Sequence, residues 1–189
     1  MTPDPGASAL PVVSKSPDFP PDVIERALRI RLACFDVDGV LTDGRLWYGA
    51  DGESLKAFHV HDGLGLRMLG AAGIEVAIVT ARRSAAVTAR MADLGIERVY
   101  QGVADKLACV TTLAGELTYQ LEEVAFTGDD QPDADAMCSV GLAIAVANAR
   151  PEILALAQYC TRAAGGVGAV REVCDLLLFA NALAAAAID

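Results

Sequence analysis

Cys34-Phe35-Asp36-Val37-Asp38-Gly39-Val40-Leu41-Thr42-Asp43-Gly44 decides the reading of the chain, because an apolar run opens there into three carboxylates, two glycines and a threonine. In an extended strand, residues two apart face the same side, so Asp36 and Asp38 present both carboxylates from one end of a buried strand. Like charges held that close are unfavourable without a cation or bound substrate between them, which points to a metal site. A calcium loop of the EF-hand type needs Gly at its sixth position and an acid at its twelfth. Counted from Asp36, those positions hold Leu41 and Trp47, and that class is excluded.

Working outward, the strand that delivers the acids, about Arg31 to Val37, is apolar on both faces near its end, as in the centre of a parallel sheet covered on both sides. Before it, Pro21 to Leu28 opens with Pro and acidic residues and continues with helical apolar spacing, a short helix. Residues 1–20 hold five prolines and small polar residues and read as a disordered arm, leaving 21–189 as one domain. After the acids, runs at 45–49 and 53–60 flank Ala50-Asp51-Gly52, a hairpin signal. The hairpin carries Leu46, Trp47, Tyr48, Leu55 and Phe58, more apolar surface than a projecting ribbon should leave in water. It is expected to form a subunit interface, with packing on its own domain as the alternative.

From Asp62, which could cap a helix to about Ala72, helices and short apolar strands alternate. Strands are expected near 75–80, 98–100, 124–127, 142–146 and 159–161, and helices near 84–94, 105–117, 134–140, 151–156 and from 167. Such repeats imply an α/β fold with a doubly wound parallel sheet, whose ligands sit beyond the carboxyl ends of the strands.

With 189 residues, 53% of them hydrophobic, the chain can bury a sizeable core. The apolar stretch 176–188 is broken by Asn181 and shorter than the roughly 20 residues that span a bilayer. No secretion signal is visible, so a cytoplasmic protein without a membrane partner is expected. Five scattered cysteines without a C-x-x-C pair read as buried reduced thiols. A net charge of −10 opposes nucleic-acid binding and requires that any phosphate site carry its own local cations.

The polar residues fall where the sheet rule asks for them. Asp36 and Asp38 end the first strand, Thr80 the next, Gly128-Asp129-Asp130 follows 124–127, and Lys106 starts a helix. Singly, Thr80 reads as a helix cap, Lys106 as a solvated charge and Asp129 as a turn residue; jointly they make a site. The chemistry they support is phosphoryl transfer, with Asp36 as the attacking carboxylate and Asp38 as the acid and then the base. Mg²⁺ held by Asp36, the Asp38 carbonyl and Asp129 would neutralise the facing anions. Thr80, Lys106 and nearby backbone N–H groups would bind the transferring oxygens, and Asp133 would orient the metal-bound carboxylate.

Asp36-Val-Asp-Gly-Val-Leu-Thr42, Thr80, Lys106 and Gly128-Asp-Asp-Gln-Pro-Asp133 together resemble the motifs of the haloacid dehalogenase superfamily of phosphohydrolases. Val23-Ile-Glu-Arg-Ala27, Phe58-His-Val-His-Asp-Gly-Leu-Gly65, Thr80-Ala-Arg82, Tyr100-Gln-Gly102 and Ala164-Gly-Gly-Val-Gly-Ala-Val-Arg-Glu-Val-Cys-Asp175 resemble one branch. That branch comprises the phosphatases of 3-deoxy-D-manno-octulosonate 8-phosphate (KDO 8-phosphate). The resemblance implies a capless Rossmann-like domain, Mg²⁺ dependence, a homotetramer whose neighbouring subunits help close each site, and a role in lipopolysaccharide sugar supply. It places Gly39, His59, Val60, His61, Asp62, Gly63, Arg67, Ala81, Arg82, Arg90 and Asp130 beside Asp38, Thr80 and Lys106 among the substrate and phosphate contacts.

Arg82 and Arg90 are eight apart and are expected on about the same side of a helix. The chain departs from the family pattern at His59 and His61, which stand where Asn and Arg are usual, and at Ala81, Asn148 and Val167. A related phosphatase of nonulosonate 9-phosphates is the nearest rival, and Arg82 argues against it because that group commonly has Glu there. A response-regulator receiver would need a carboxylate after its third strand, where this chain has Tyr100-Gln101-Gly102.

Overall fold

The computed structural model describes residues 18–50 and 52–186. For residues 1–17 the expected arm lies outside the described residues. Phe19 is packed, edge-on to Tyr159 with ring centroids 5.8 Å apart.

Six parallel strands form the sheet: β1 (Leu32–Phe35), β4 (Glu75–Thr80), β5 (Arg98–Gln101), β6 (Val124–Gly128), β7 (Leu142–Ala145) and β8 (Tyr159–Cys160). They run in the order β5-β4-β1-β6-β7-β8. The chain winds outward from β1 through β4 to β5, then crosses back to β6 and winds the other way. The winding therefore reverses between β1 and β6, where an open sheet leaves its ligand crevice. Every residue of β1 is fully buried, because both its edges are paired and both its faces covered. This explains the unbroken apolar run Leu32-Ala33-Cys34-Phe35.

Helices α1 (Pro21–Ala27), α2 (Val60–Ala71), α3 (Ala85–Leu94) and α7 (Ala169–Ala186) pack together over one face. The other face carries α4 (Lys106–Glu116), α5 (Ala134–Ser139) and α6 (Pro151–Leu156). Among the described residues no helix is long and apolar enough to cross a membrane.

The antiparallel hairpin of β2 (Trp47–Gly49) and β3 (Gly52–Leu55) stands apart from the sheet, and no further domain is inserted between β1 and α2 among the described residues. Its Trp47, Tyr48 and Leu55 are 57%, 64% and 65% exposed, so packing on its own domain does not cover them. Phe58 instead packs against the core.

Three local expectations are corrected. The strand expected to reach Val60 ends at Leu55, and α2 starts at Val60 after an extended His59 rather than at Asp62. The Asp62 carboxylate is buried and accepts the Arg171 N–H at 2.8 Å, so it caps the start of α7, 109 residues away. The cysteines are not uniformly buried: Cys34 and Cys174 are, Cys109 is half-buried, and Cys138 and Cys160 are exposed, all as free thiols.

Candidate active site

The carboxyl ends of β1 and β6 meet at the crevice. Parallel pairing sets Phe35 opposite Thr127, and the Asp36 N–H donates to the Thr127 carbonyl at 3.0 Å. Asp36 and the acids after Gly128 are thereby delivered side by side. On the other edge Phe35 pairs with Ile78, so the buried Thr80 stands two residues further along β4, level with the start of the 36–44 loop. Asp105 caps α4 by accepting the Ala108 N–H, which fixes the start of that helix. Lys106 then reaches inward, its ammonium 3.0 Å from Asp36 Oδ1 and 2.5 Å from Asp133 Oδ1. Asp133 Oδ2 accepts the Asp129 and Asp130 N–H groups at 2.9 and 3.3 Å, which shapes the turn that aims Asp129.

Oxygens of Asp36, Asp129 and Asp133 all lie within 4.8 Å of one another. Asp133 is committed to two N–H groups and an ammonium, which leaves Asp36 and Asp129 with oxygens free for a cation. One lysine does not neutralise the group. Burial, with Asp133 beside it and Lys106 opposing, pushes Asp36 up to about 6. Burial and then its neighbours Asp36, Asp133 and Asp130 push Asp129 up to about 7. Burial alone would weaken the Lys106 ammonium, but the two carboxylates outweigh it and hold its pKa above the ordinary lysine value. All-oxygen donors with excess negative charge suit a hard dication such as Mg²⁺.

The loop carrying Asp38 is clamped by close approaches. Gly39 has φ +96°, and a Cβ there would lie 2.0 Å from Asp129 Oδ2, so both conformation and space require glycine. Asn148 Nδ2 donates to the Gly39 carbonyl at 3.0 Å while its Oδ1 accepts the Gly165 N–H at 2.6 Å. The 164–168 loop thus props the acidic loop from behind.

A family model described as haloacid dehalogenase-like hydrolase matches residues 96–172. Over 160 residues, 85% of this chain and 86% of the relative, the sequence is 52% identical to 3-deoxy-D-manno-octulosonate 8-phosphate phosphatase of Yersinia pestis. The chain belongs to this phosphatase family. Its Escherichia coli (strain K12) member is also 52% identical over 160 residues, with 85% of each chain covered. Among solved structures, the Yersinia pestis phosphatase superposes with a TM-score of 0.84 at 51% identity, covering 86% of this chain and 88% of that one. The Moraxella catarrhalis phosphatase, solved with magnesium, phosphate and KDO, gives 0.83 at 42% identity and covers 88% and 96%.

Not all the residues that the KDO 8-phosphate phosphatase resemblance singles out converge. His59 and His61 stack edge-on at 4.8 Å at the start of α2, beside the 75% exposed Val60. Arg90 lays its guanidinium over the buried Gly63 of the same turn. Ala81 is exposed; Asp130 is exposed too, and its side chain caps the next turn through the Gln131 N–H. Arg82 is not on a helix with Arg90, since α3 starts at Ala85; it turns toward the hairpin. There it donates to Tyr48 Oη at 2.9 Å and Glu53 at 3.0 Å.

Arg67 does not join the cluster within one chain. It lines a cavity of about 480 Å³ with Glu75 and Arg98, at the opening of β4 rather than at its Thr80 end. At about 3.3 Å per residue those ends are roughly 16 Å apart.

Two polar groups escaped the sequence reading. Lys56, its side chain 1% exposed, pairs with Asp38, and Glu53 lies between Lys56 and Arg82. The spacing of Glu53 and Lys56, three residues apart in a hairpin segment, carried no signal of its own.

Proposed function

We propose that the protein is a Mg²⁺-dependent phosphatase that hydrolyses KDO 8-phosphate to KDO and phosphate. The observation that carries this reading is the buried grouping of Asp36, Asp129, Asp133 and Lys106 at the sheet's reversal point in a chain 52% identical to a KDO 8-phosphate phosphatase. An Asp36 oxygen attacks phosphorus and the ester P–O bond breaks, giving an aspartyl-phosphate and an alkoxide. Asp38, two residues on, gives its proton to that alkoxide, so KDO leaves neutral at the hydroxyl. Asp38 then takes a proton from water as the water oxygen attacks the acyl-phosphate, releasing phosphate and restoring Asp36. Lys106 and Thr80 hold the transferring oxygens, and Asp133 keeps Lys106 and the Asp129 turn in place. When bound by Asp36, the Asp38 carbonyl and Asp129, Mg²⁺ supplies the positive charge that lets a phosphate dianion approach carboxylates.

Arg82, near Asp38, and the His59 to Gly63 turn with Arg90 against it would receive the sugar acid. The assembly is a homotetramer, a reading supported by the exposed Trp47, Tyr48 and Leu55 of the hairpin. The enzyme works in the cytoplasm, supplying sugar for lipopolysaccharide. Phosphate release from KDO 8-phosphate and from a nonulosonate 9-phosphate, under identical conditions, tests the substrate. A higher kcat/KM for the eight-carbon acid is expected; preference for the nine-carbon acid would overturn the assignment.

A further inference from the structure

The hairpin is tied to the site by charge rather than by packing. Its large apolar side chains Trp47, Tyr48 and Leu55 face outward, while the segment that follows them sends Lys56 into the interior. The Lys56 ammonium, on a side chain only 1% exposed, pairs with Asp38 Oδ1 and lies 3.3 Å from Glu53 Oε2. The same Glu53 oxygen receives Arg82 at 3.0 Å, and Arg82 Nε stands 3.8 Å from Asp38 Oδ2. Asp38, Lys56, Glu53 and Arg82 therefore form a closed ring of alternating charge, with Tyr48 Oη bound to Arg82.

The ring treats the two oxygens of Asp38 differently. Oδ1 is taken by Lys56. Oδ2 is buried and has no hydrogen-bond partner, since 3.8 Å to Arg82 is too long for one. A carboxylate held by one oxygen on a buried ammonium cannot turn freely about its side-chain torsion. Oδ2, the oxygen with no partner, is then the one left to carry a proton.

We propose that Lys56 is a positioning residue that holds the Asp38 carboxyl group by Oδ1, leaving Oδ2 to carry the proton that goes to the departing sugar oxygen, and that Glu53 and Arg82 make this position depend on the seating of the hairpin. The proposal rests on the reading of Asp38 as the proton donor. A misplacement of about 1 Å costs on the order of 10²-fold in rate, and the whole of general acid catalysis is worth about 10²–10⁴-fold.

The test compares a poor leaving group with a good one. The sugar alkoxide of KDO 8-phosphate needs a proton as it departs, whereas the nitrophenolate of p-nitrophenyl phosphate does not. In the first turnover, before the aspartyl-phosphate is hydrolysed, Lys56→Met is expected to lower the rate of leaving-group release from KDO 8-phosphate by about 10–100-fold, with the rate of nitrophenolate release changed less than about threefold and KM little moved. Lys56→Arg should recover part of the lost ratio, and in an Asp38→Asn background Lys56→Met should add nothing to it. Lys56→Gln gives the same comparison should the Met variant not be recovered folded. Parallel losses of the first-turnover rate on both substrates, or a loss confined to KM, would overturn the positioning role. If Asp38→Asn alone fails to separate the two substrates, it is the reading of Asp38 that falls, and the proposal with it.

Discussion

Replacing Lys106 by Met removes the ammonium 3.0 Å from Asp36 and 2.5 Å from Asp133 and keeps the apolar stem. Two buried carboxylates then face each other with no cation between them. Breaking a buried ion pair by removing one partner costs about 3–5 kcal/mol, and here the cost depends on pH in a definite direction. In the native enzyme the folded state raises Asp36 from an ordinary 3.8 to about 6 and Asp129 to about 7, so the fold binds protons more tightly than the unfolded chain does. The stability this gives is fully present below pH 3.8 and is lost as pH rises through about 6 and 7. For Asp36 alone the loss is on the order of 3 kcal/mol. Lys106 opposes that loss, so its removal makes the decline with pH steeper.

Urea unfolding in EDTA, followed by circular dichroism, is expected to show Lys106→Met destabilised by about 3–5 kcal/mol at pH 8 and by roughly half of that or less at pH 5. A loss equal at the two pH values, or below about 1 kcal/mol at pH 8, would refute the claim that Lys106 acts by neutralising Asp36 and Asp133.

The same carboxylates link metal binding to protons. Mg²⁺ must displace protons from groups titrating at about 6 and about 7, so calorimetry in buffers of different ionisation enthalpy should detect proton release near pH 6.5 and none at pH 9; release that does not depend on pH contradicts this. Gly165→Ala would place a Cβ 1.7 Å from the Gly39 carbonyl oxygen, backbone against backbone, and should cost about 3 kcal/mol in thermal or urea unfolding, whereas unchanged stability would show that the loops are not in contact. Asn148→Asp turns a donor to the Gly39 carbonyl into an acceptor facing an acceptor; a loss of about 1–3 kcal/mol by the same measurement is expected, and a neutral result would contradict the bridge.

Much of the site could be read from the sequence because a parallel sheet collects what stands at its strand ends. Asp36, Thr80 and Asp129 needed only the positions of β1, β4 and β6, and Lys106 only the start of α4. What escaped depends on contacts across long stretches of chain. Asp62 carries the local pattern of a helix cap, yet it caps α7, whose start is brought beside it only by the packing of α2 on α7. Asn148 bridges Gly39 and Gly165, 109 and 17 residues away. Arg82 and Arg90 have helical spacing, but the helix begins at Ala85 and the loop before it sends Arg82 to the hairpin. Lys56 sits in a segment that alternates like a strand, whereas the strand ends at Leu55 and the chain then turns inward, carrying the lysine to Asp38.

The most direct measurement is phosphate release from KDO 8-phosphate in the presence of Mg²⁺ by the native enzyme and by Asp36→Asn, side by side. The native enzyme is expected to turn over and the variant to release no phosphate above background. A native enzyme inert toward this substrate, or a variant retaining appreciable turnover, would contradict the assignment of Asp36 as the attacking carboxylate of a KDO 8-phosphate phosphatase.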